Sequence, residues 1–92
     1  MAYRVEISAD ARKQLKKLDA ATRERLIRFM LERLARLEDP RSIGTALKGE
    51  RYGELWRYRV GDYRIICRIE DKAVVILVVR IGHRREVYKE RG

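Results

Sequence analysis

Apolar and charged residues alternate over Tyr3-Arg4-Val5-Glu6-Ile7, the period-two pattern of a short half-buried strand. The period then lengthens. Ser8 stands as a helix cap with Asp10 in the first turn, where a negative charge is favoured. Ala11, Leu15 and Leu18 fall on one side of the helix that follows. Asp19 and Thr22 offer caps for a second, longer helix. Its apolar positions, Leu26, Ile27, Met30, Leu31, Leu34 and Leu37, keep the helical spacing until Pro40 ends it after Glu38-Asp39. The short link makes the two helices an αα-hairpin.

Residues 39–53 carry Pro40, Gly44, Gly49 and Gly53 without sustained periodicity, and read as a loop with a turn of helix at Ser42 to Leu47. The pattern then becomes β. Leu55 to Val60 and Tyr63 to Ile69 flank Gly61-Asp62, and glycine at the first central position suits a two-residue type II′ turn. A third apolar, β-branched run, Ala73 to Ile81, follows the turn Glu70-Asp71-Lys72. The tail Gly82-His83-Arg84-Arg85-Glu86-Val87-Tyr88 is short and polar. The predicted fold is α+β: an N-terminal strand, the αα-hairpin, then a three-stranded antiparallel meander, with the helices packed on one sheet face. Without repeats or a composition break, residues 1–92 are expected to form one domain.

The hairpin sorts its own side chains. A two-residue turn pairs Val60 with Tyr63, Arg59 with Arg64, Tyr58 with Ile65, Arg57 with Ile66 and Trp56 with Cys67. Trp56, Tyr58, Val60, Tyr63, Ile65 and Cys67 then share the face that buries against the helices. Trp56 and Tyr58 read as core rather than as base-stacking platforms, and Cys67 as a small buried hydrophobe. The other face holds Leu55, Arg57, Arg59, Arg64, Ile66 and Arg68. Arg59 and Arg64 sit directly opposite, where like charges destabilise a hairpin by some tenths of a kcal/mol. A charged row on a sheet is ordinarily a solvated face. Here no acid interrupts the row within the hairpin, and phosphate, which guanidinium binds through a planar fork, relieves the repulsion most simply.

Composition agrees. Lys and Arg total 23 against 14 Asp and Glu, a formal charge of +9 that attracts polyanions. One cysteine and one histidine exclude a disulfide framework and a zinc site, so neither metal nor cofactor is expected. No stretch approaches the ~18 apolar residues of a membrane span, and Met1 to Val5 lack the apolar core of a signal peptide. A cytoplasmic protein without membrane association is expected.

The hairpin Leu55-Trp56-Arg57-Tyr58-Arg59-Val60-Gly61-Asp62-Tyr63-Arg64-Ile65-Ile66, the terminal Gly82-His83-Arg84-Arg85-Glu86-Val87-Tyr88, and Leu47-Lys48-Gly49 before the hairpin together resemble the RelE/ParE superfamily of toxins, in particular its RelE branch. The resemblance covers nearly the whole chain. It implies a toxin of a type II toxin–antitoxin system: a ribosome-dependent endoribonuclease that cuts mRNA in the A site and so inhibits translation. It also implies a RelB-like antitoxin partner and a toxin–antitoxin hetero-oligomer. Arg64 matches the family's arginine after the hairpin turn, Tyr88 its terminal tyrosine, and Arg84 or Arg85 its arginine after the last strand. Arg57 stands where RelE has the second of two closely spaced lysines, and Leu55 where it has the first.

That departure bears on the chemistry. Attack of a 2′-OH on the adjacent phosphate needs a proton acceptor, stabilisation of charge on phosphorus, and a proton for the leaving 5′-oxygen. Arginine serves the second need and not the first, because it stays protonated; Leu55 serves none. The catalytic candidates are Arg64, Arg84, Arg85, Tyr88 and His83, with Lys48, Arg57, Arg59 and Arg68 binding RNA phosphate. Tyr88, whose phenol pKa falls beside arginines, His83 and Lys48 compete as the base; a solvated loop position is the plainer reading of His83, and a phosphate clamp that of Lys48. Glu54 and Glu86 miss the arginine face by parity. Two alternatives stand beside the nuclease: a ParE-like poison of DNA gyrase, and a non-catalytic RNA-binding module.

Overall fold

In the computed structural model, which describes residues 2–47 and 55–85, β1 (Arg4–Ile7) alternates exposed Arg4 and Glu6 with half-buried Val5 and Ile7. Ser8 Oγ accepts from the Ala11 N–H and caps α1 (Ala9–Lys16). Asp19 accepts from the Thr22 N–H and caps α2 (Ala20–Arg28). Each cap satisfies a donor that the first helical turn leaves open.

The second helix does not stay α-helical to Leu37. It widens into one π turn at Phe29–Arg33 and tightens into a 3-10 turn at Leu34–Arg36. Leu26, Met30 and Leu34, four residues apart, are all buried. Each four-residue step of a pure α-helix rotates away by roughly 40°. The wider i→i+5 turn takes part of that back and keeps all three on the sheet. Leu31 points outward, 53% exposed. The backbone of Tyr3 donates to the Ala35 carbonyl and ties the end of this helix to β1.

The segment expected to be a loop with a helical turn is instead a 3-10 turn at Pro40–Ile43 followed by a two-residue strand, β2 (Thr45–Ala46). β3 (Leu55–Val60), β4 (Tyr63–Glu70) and β5 (Val75–His83) form the predicted meander. The sheet is larger and mixed, with five strands in the order β1-β5-β4-β3-β2: β1 lies parallel to β5 at one edge, and β2 antiparallel to β3 at the other. The predicted hairpin register holds at every pair from Leu55↔Arg68 to Val60↔Tyr63. Gly61 has φ +61° and Asp62 a negative φ, the pattern of a type II′ turn.

One face of the sheet carries the helices. Ala11, Leu15, Leu26, Met30 and Leu34 meet Tyr58, Val60, Ile65 and Cys67 of the hairpin and Ile76, Val78 and Ile81 of β5 in one core. Burial pushes the Cys67 thiol and the Tyr58 phenol far up, so neither ionises near neutrality. The other face of β3, β4 and β5 carries the arginines.

Candidate functional site

Three strands in register make three cross-sheet rows on that second face. The first is Arg59–Arg64–Gly82, the second Arg57–Ile66–Arg80, the third Leu55–Arg68–Leu77. These nine positions hold five arginines and no acid. Arg57, Arg59, Arg64 and Arg68 are thus brought together as expected. Arg80 joins them from β5.

The rows differ in exposure. Arg59 and Arg68 are exposed, and Arg57 and Arg80 half-buried. Arg64 is only 8% exposed. Its Nη1 folds back over the turn and donates to the carbonyls of Gly61, at 3.1 Å, and Tyr63, at 3.0 Å. The turn carbonyls thereby hold one guanidinium directly opposite Arg59, and Gly82, lacking a side chain, crowds Arg64 least from the β5 side. A charge fixed by preformed hydrogen bonds needs no reorganisation when a phosphate arrives.

The end of β5 closes on the same turn. The Arg84 N–H donates to the Asp62 carbonyl at 2.7 Å, and Arg84 Nε lies 3.9 Å from Asp62 Oδ1. Arg84 follows β5 in a turn, and these contacts set it beside the hairpin turn that holds Arg64. Arg85 is exposed, and its N–H donates to His83 Nδ1 at 3.2 Å.

His83 is not brought to this face. It pairs with Tyr63, and paired residues share a face, so its ring lies on the helix side. There it meets the Tyr63 ring edge-on at 5.7 Å and lines a cleft of about 300 Å³ with Gln14, Lys17 and Leu18. The expectation that His83 joins the arginines as a base is corrected by this register. The strand extends two residues beyond Ile81, and parity then decides. Lys48, Tyr88, Glu54 and Glu86 lie outside the described residues.

Arg80 is the residue that the hairpin pattern misses. It becomes visible only when β5 is registered on β4. The available signal was an arginine inside an otherwise apolar, β-branched run. Chemically the assembled face can bind phosphate oxygens and stabilise charge on phosphorus. Its guanidinium groups cannot accept a proton.

The chain matches the family described as the ParE toxin of type II toxin–antitoxin systems over residues 5–88. It is 30% identical to the toxin RelG of Mycobacterium tuberculosis across 97% of this chain and 99% of the relative. It is 33% identical to the mRNA interferase toxin RelE of Escherichia coli across 98% of this chain and 94% of the relative. Among solved structures, a chain of the toxin–antitoxin complex RelBE2 from M. tuberculosis superposes with a TM-score of 0.83 at 29% identity, covering 94% of this chain and 95% of the other. A chain of the intact E. coli RelBE toxin–antitoxin complex superposes with a TM-score of 0.71 at 27% identity, covering 89% and 96%.

Proposed function

This chain belongs to the RelE/ParE superfamily of type II toxins, and from that premise we propose that it is a ribosome-dependent endoribonuclease that cuts mRNA in the A site. The RelG and RelE relatives support a toxin of a RelBE-type system. The observation that carries the nuclease reading is the set of five arginines on one face of β3, β4 and β5, with Glu6 and Glu70 confined to the edge of that face.

The substrate's 2′-oxygen attacks the adjacent phosphorus. The 2′-O–P bond forms, the P–O5′ bond breaks, the 2′-proton passes to a base, and the departing 5′-oxygen takes up a proton. Arg64, prefixed by its two turn carbonyls, supplies the charge that steadies the extra negative charge on phosphorus. Arg84 at the turn supplies the second cation in this role, favoured over Arg85 by its bond to Asp62. Arg57, Arg59 and Arg68 hold the flanking backbone. Tyr88 and Lys48 are the proton carriers of this proposal, since Leu55 cannot carry one and His83 faces the helices. Ribosomal positioning of the message provides the remaining rate through orientation. A RelB-like antitoxin that covers the basic face is the proposed partner, in a hetero-oligomer, and the cytoplasm is the proposed site of action.

Primer extension on cellular mRNA after induction, wild type against Arg64→Ala, tests this. Cleavage by the wild type only, and in vitro only with ribosomes, is expected. Growth arrest with intact mRNA would overturn it. The ParE description of the matched family favours a second reading, poisoning of DNA gyrase. A supercoiling assay separates the two.

A further inference from the structure

Strict alternation along β5 from Ile76 and Val78, both fully buried on the helix side, would turn Arg80 inward too. A guanidinium in that apolar core would be desolvated at prohibitive cost. A β-bulge prevents this. Cys67 pairs with Val78, yet the preceding Ile66 pairs with Arg80, so Val79 is the extra residue. Beyond it the parity is reversed: Arg80 faces out with Ile66, and Ile81 faces in with Ile65.

The bulge lies where β1 leaves β5, and the start of α1 holds it. The Ser8 N–H donates to the Val78 carbonyl at 2.9 Å, and the Ser8 hydroxyl to the Val79 carbonyl at 3.1 Å. On the far side of Arg80, the Ile81 N–H donates to Gln14 Oε1 at 2.6 Å. The peptide on each side of Arg80 is therefore fixed by one helix, in the way a bulge re-aims a side chain beside a functional site. Across the sheet, Arg80 and Arg57 flank Ile66, two strand spacings or roughly 10 Å apart. A neutral residue, such as Leu77 in the next row, would serve the sheet alone without adding a fifth like charge.

We propose that Arg80 binds a backbone phosphate of the single-stranded RNA substrate, opposite Arg57 across Ile66, and that Ser8 and Gln14 are its positioning residues. The assignment deepens the RNA-cleaving reading and rests on it for the identity of the substrate.

The test uses the full chain with a short fluorescein-labelled oligouridylate, its anisotropy titrated over a series of KCl concentrations, beside cleavage of a ribosome-bound message. Arg80→Gln is expected to weaken oligouridylate binding about tenfold and to lower the slope of log affinity against log salt by about 0.7. Arg80→Lys keeps the slope and loses part of the affinity, because the fork is gone. Arg36→Gln, which removes one charge from the helical layer, leaves both unchanged. Gln14→Ala lowers the same slope, and adds nothing to it when combined with Arg80→Gln. Matching circular dichroism melts verify folding of each variant. Arg80→Gln behaving like Arg36→Gln, or a wild type without salt-dependent binding, overturns the Arg80 assignment. Additive slopes in the double variant overturn the positioning role of Gln14. A wild type that binds with an Arg80-dependent slope but leaves ribosome-bound message intact sinks the nuclease reading while the Arg80 site stands. Cleavage with no effect of Arg80→Gln on rate or slope does the reverse.

Discussion

The backbone of Arg84 donates to the carbonyl of Asp62 at 2.7 Å, so the last described turn of the chain is fastened to the hairpin turn that holds Arg64. This bond needs no Arg84 side chain, and the side-chain contact to Asp62 is long and exposed. Arg84→Ala should therefore leave the melting temperature within about 2 °C of wild type, as exposed ion pairs contribute little. It should lower cleavage of ribosome-bound mRNA by about 100-fold if its charge acts in the transition state. Arg85→Ala should cost several-fold at most. Primer-extension rates for the two variants check the order, and equal losses would contradict it.

Arg59 and Arg64 are paired directly across β3 and β4. Two like charges in that position weaken the hairpin, and an acid at one of them would strengthen it. Arg59→Glu should raise stability by about 0.5 kcal/mol, on the scale of cross-strand pairs, while lowering RNA cleavage at least tenfold. Urea denaturation and primer extension on the same preparation read both signs. A variant that loses stability and activity together would show that Arg59 serves the fold.

The hairpin was legible from residue types alone. A two-residue turn at Gly61-Asp62 determines every pair behind it, and alternation then assigns the faces, so Arg57, Arg59, Arg64 and Arg68 were found together. Helix starts were legible for the same local reason, since Ser8 and Asp19 cap with their own side chains. Arg80 was missed, and the side of the sheet on which His83 lies was not read, because both depend on the register of β5. That register is shifted by a bulge containing no glycine, held by Ser8 and Gln14 from another element. The parallel β1–β5 pair and the two-residue β2 are tertiary in origin and leave no periodicity to read. The π turn was hidden because Leu26, Met30 and Leu34 also fit a helix of ordinary pitch.

Val74 has φ +55°, a left-handed conformation that a β-branched residue rarely adopts. Two backbone bonds hold it there: its N–H donates to Asp71, and its carbonyl accepts from Arg4 of β1. Strain of this type costs on the order of 1 kcal/mol or more. Asparagine tolerates the conformation, so Val74→Asn should stabilise the chain by about 1 kcal/mol without changing cleavage. A lower urea midpoint would show that Val74 contributes more by packing than its backbone costs.

Tyr58 is fully buried and donates to the Pro40 carbonyl at 2.7 Å, while Gly44 lies against its ring. Tyr58→Phe leaves that carbonyl without this donor and should cost about 1–3 kcal/mol. At Gly44 a Cβ would fall 2.7 Å from Tyr58 Cε1 and 2.9 Å from Cζ, both on a rigid, buried ring. Gly44→Ala should therefore destabilise as well, and the two effects should be less than additive because they share the ring. A double-mutant cycle in urea measures the coupling; strict additivity would refute it.

Asp71, in the β4–β5 turn, accepts from Arg41 Nη2 at 2.6 Å and from the Tyr3 hydroxyl at 3.2 Å. Arg41 in turn stands over the Trp56 ring, 6.0 Å from its centre. The Arg41 hydrogen bond holds the Asp71 carboxyl below its ordinary value of 3.8, with the Tyr3 bond adding to it. A carboxyl depressed in the folded state stabilises fully above its unfolded pKa, and that contribution is lost as pH falls through the folded value. The network is exposed, so its contribution is small and screened by salt. Asp71→Asn should lower the urea midpoint at neutral pH, and the difference from wild type should shrink to nothing as pH falls below the carboxylate range. A difference that persists in acid would mean that Asp71 acts as a hydrogen-bonding group rather than as a charge.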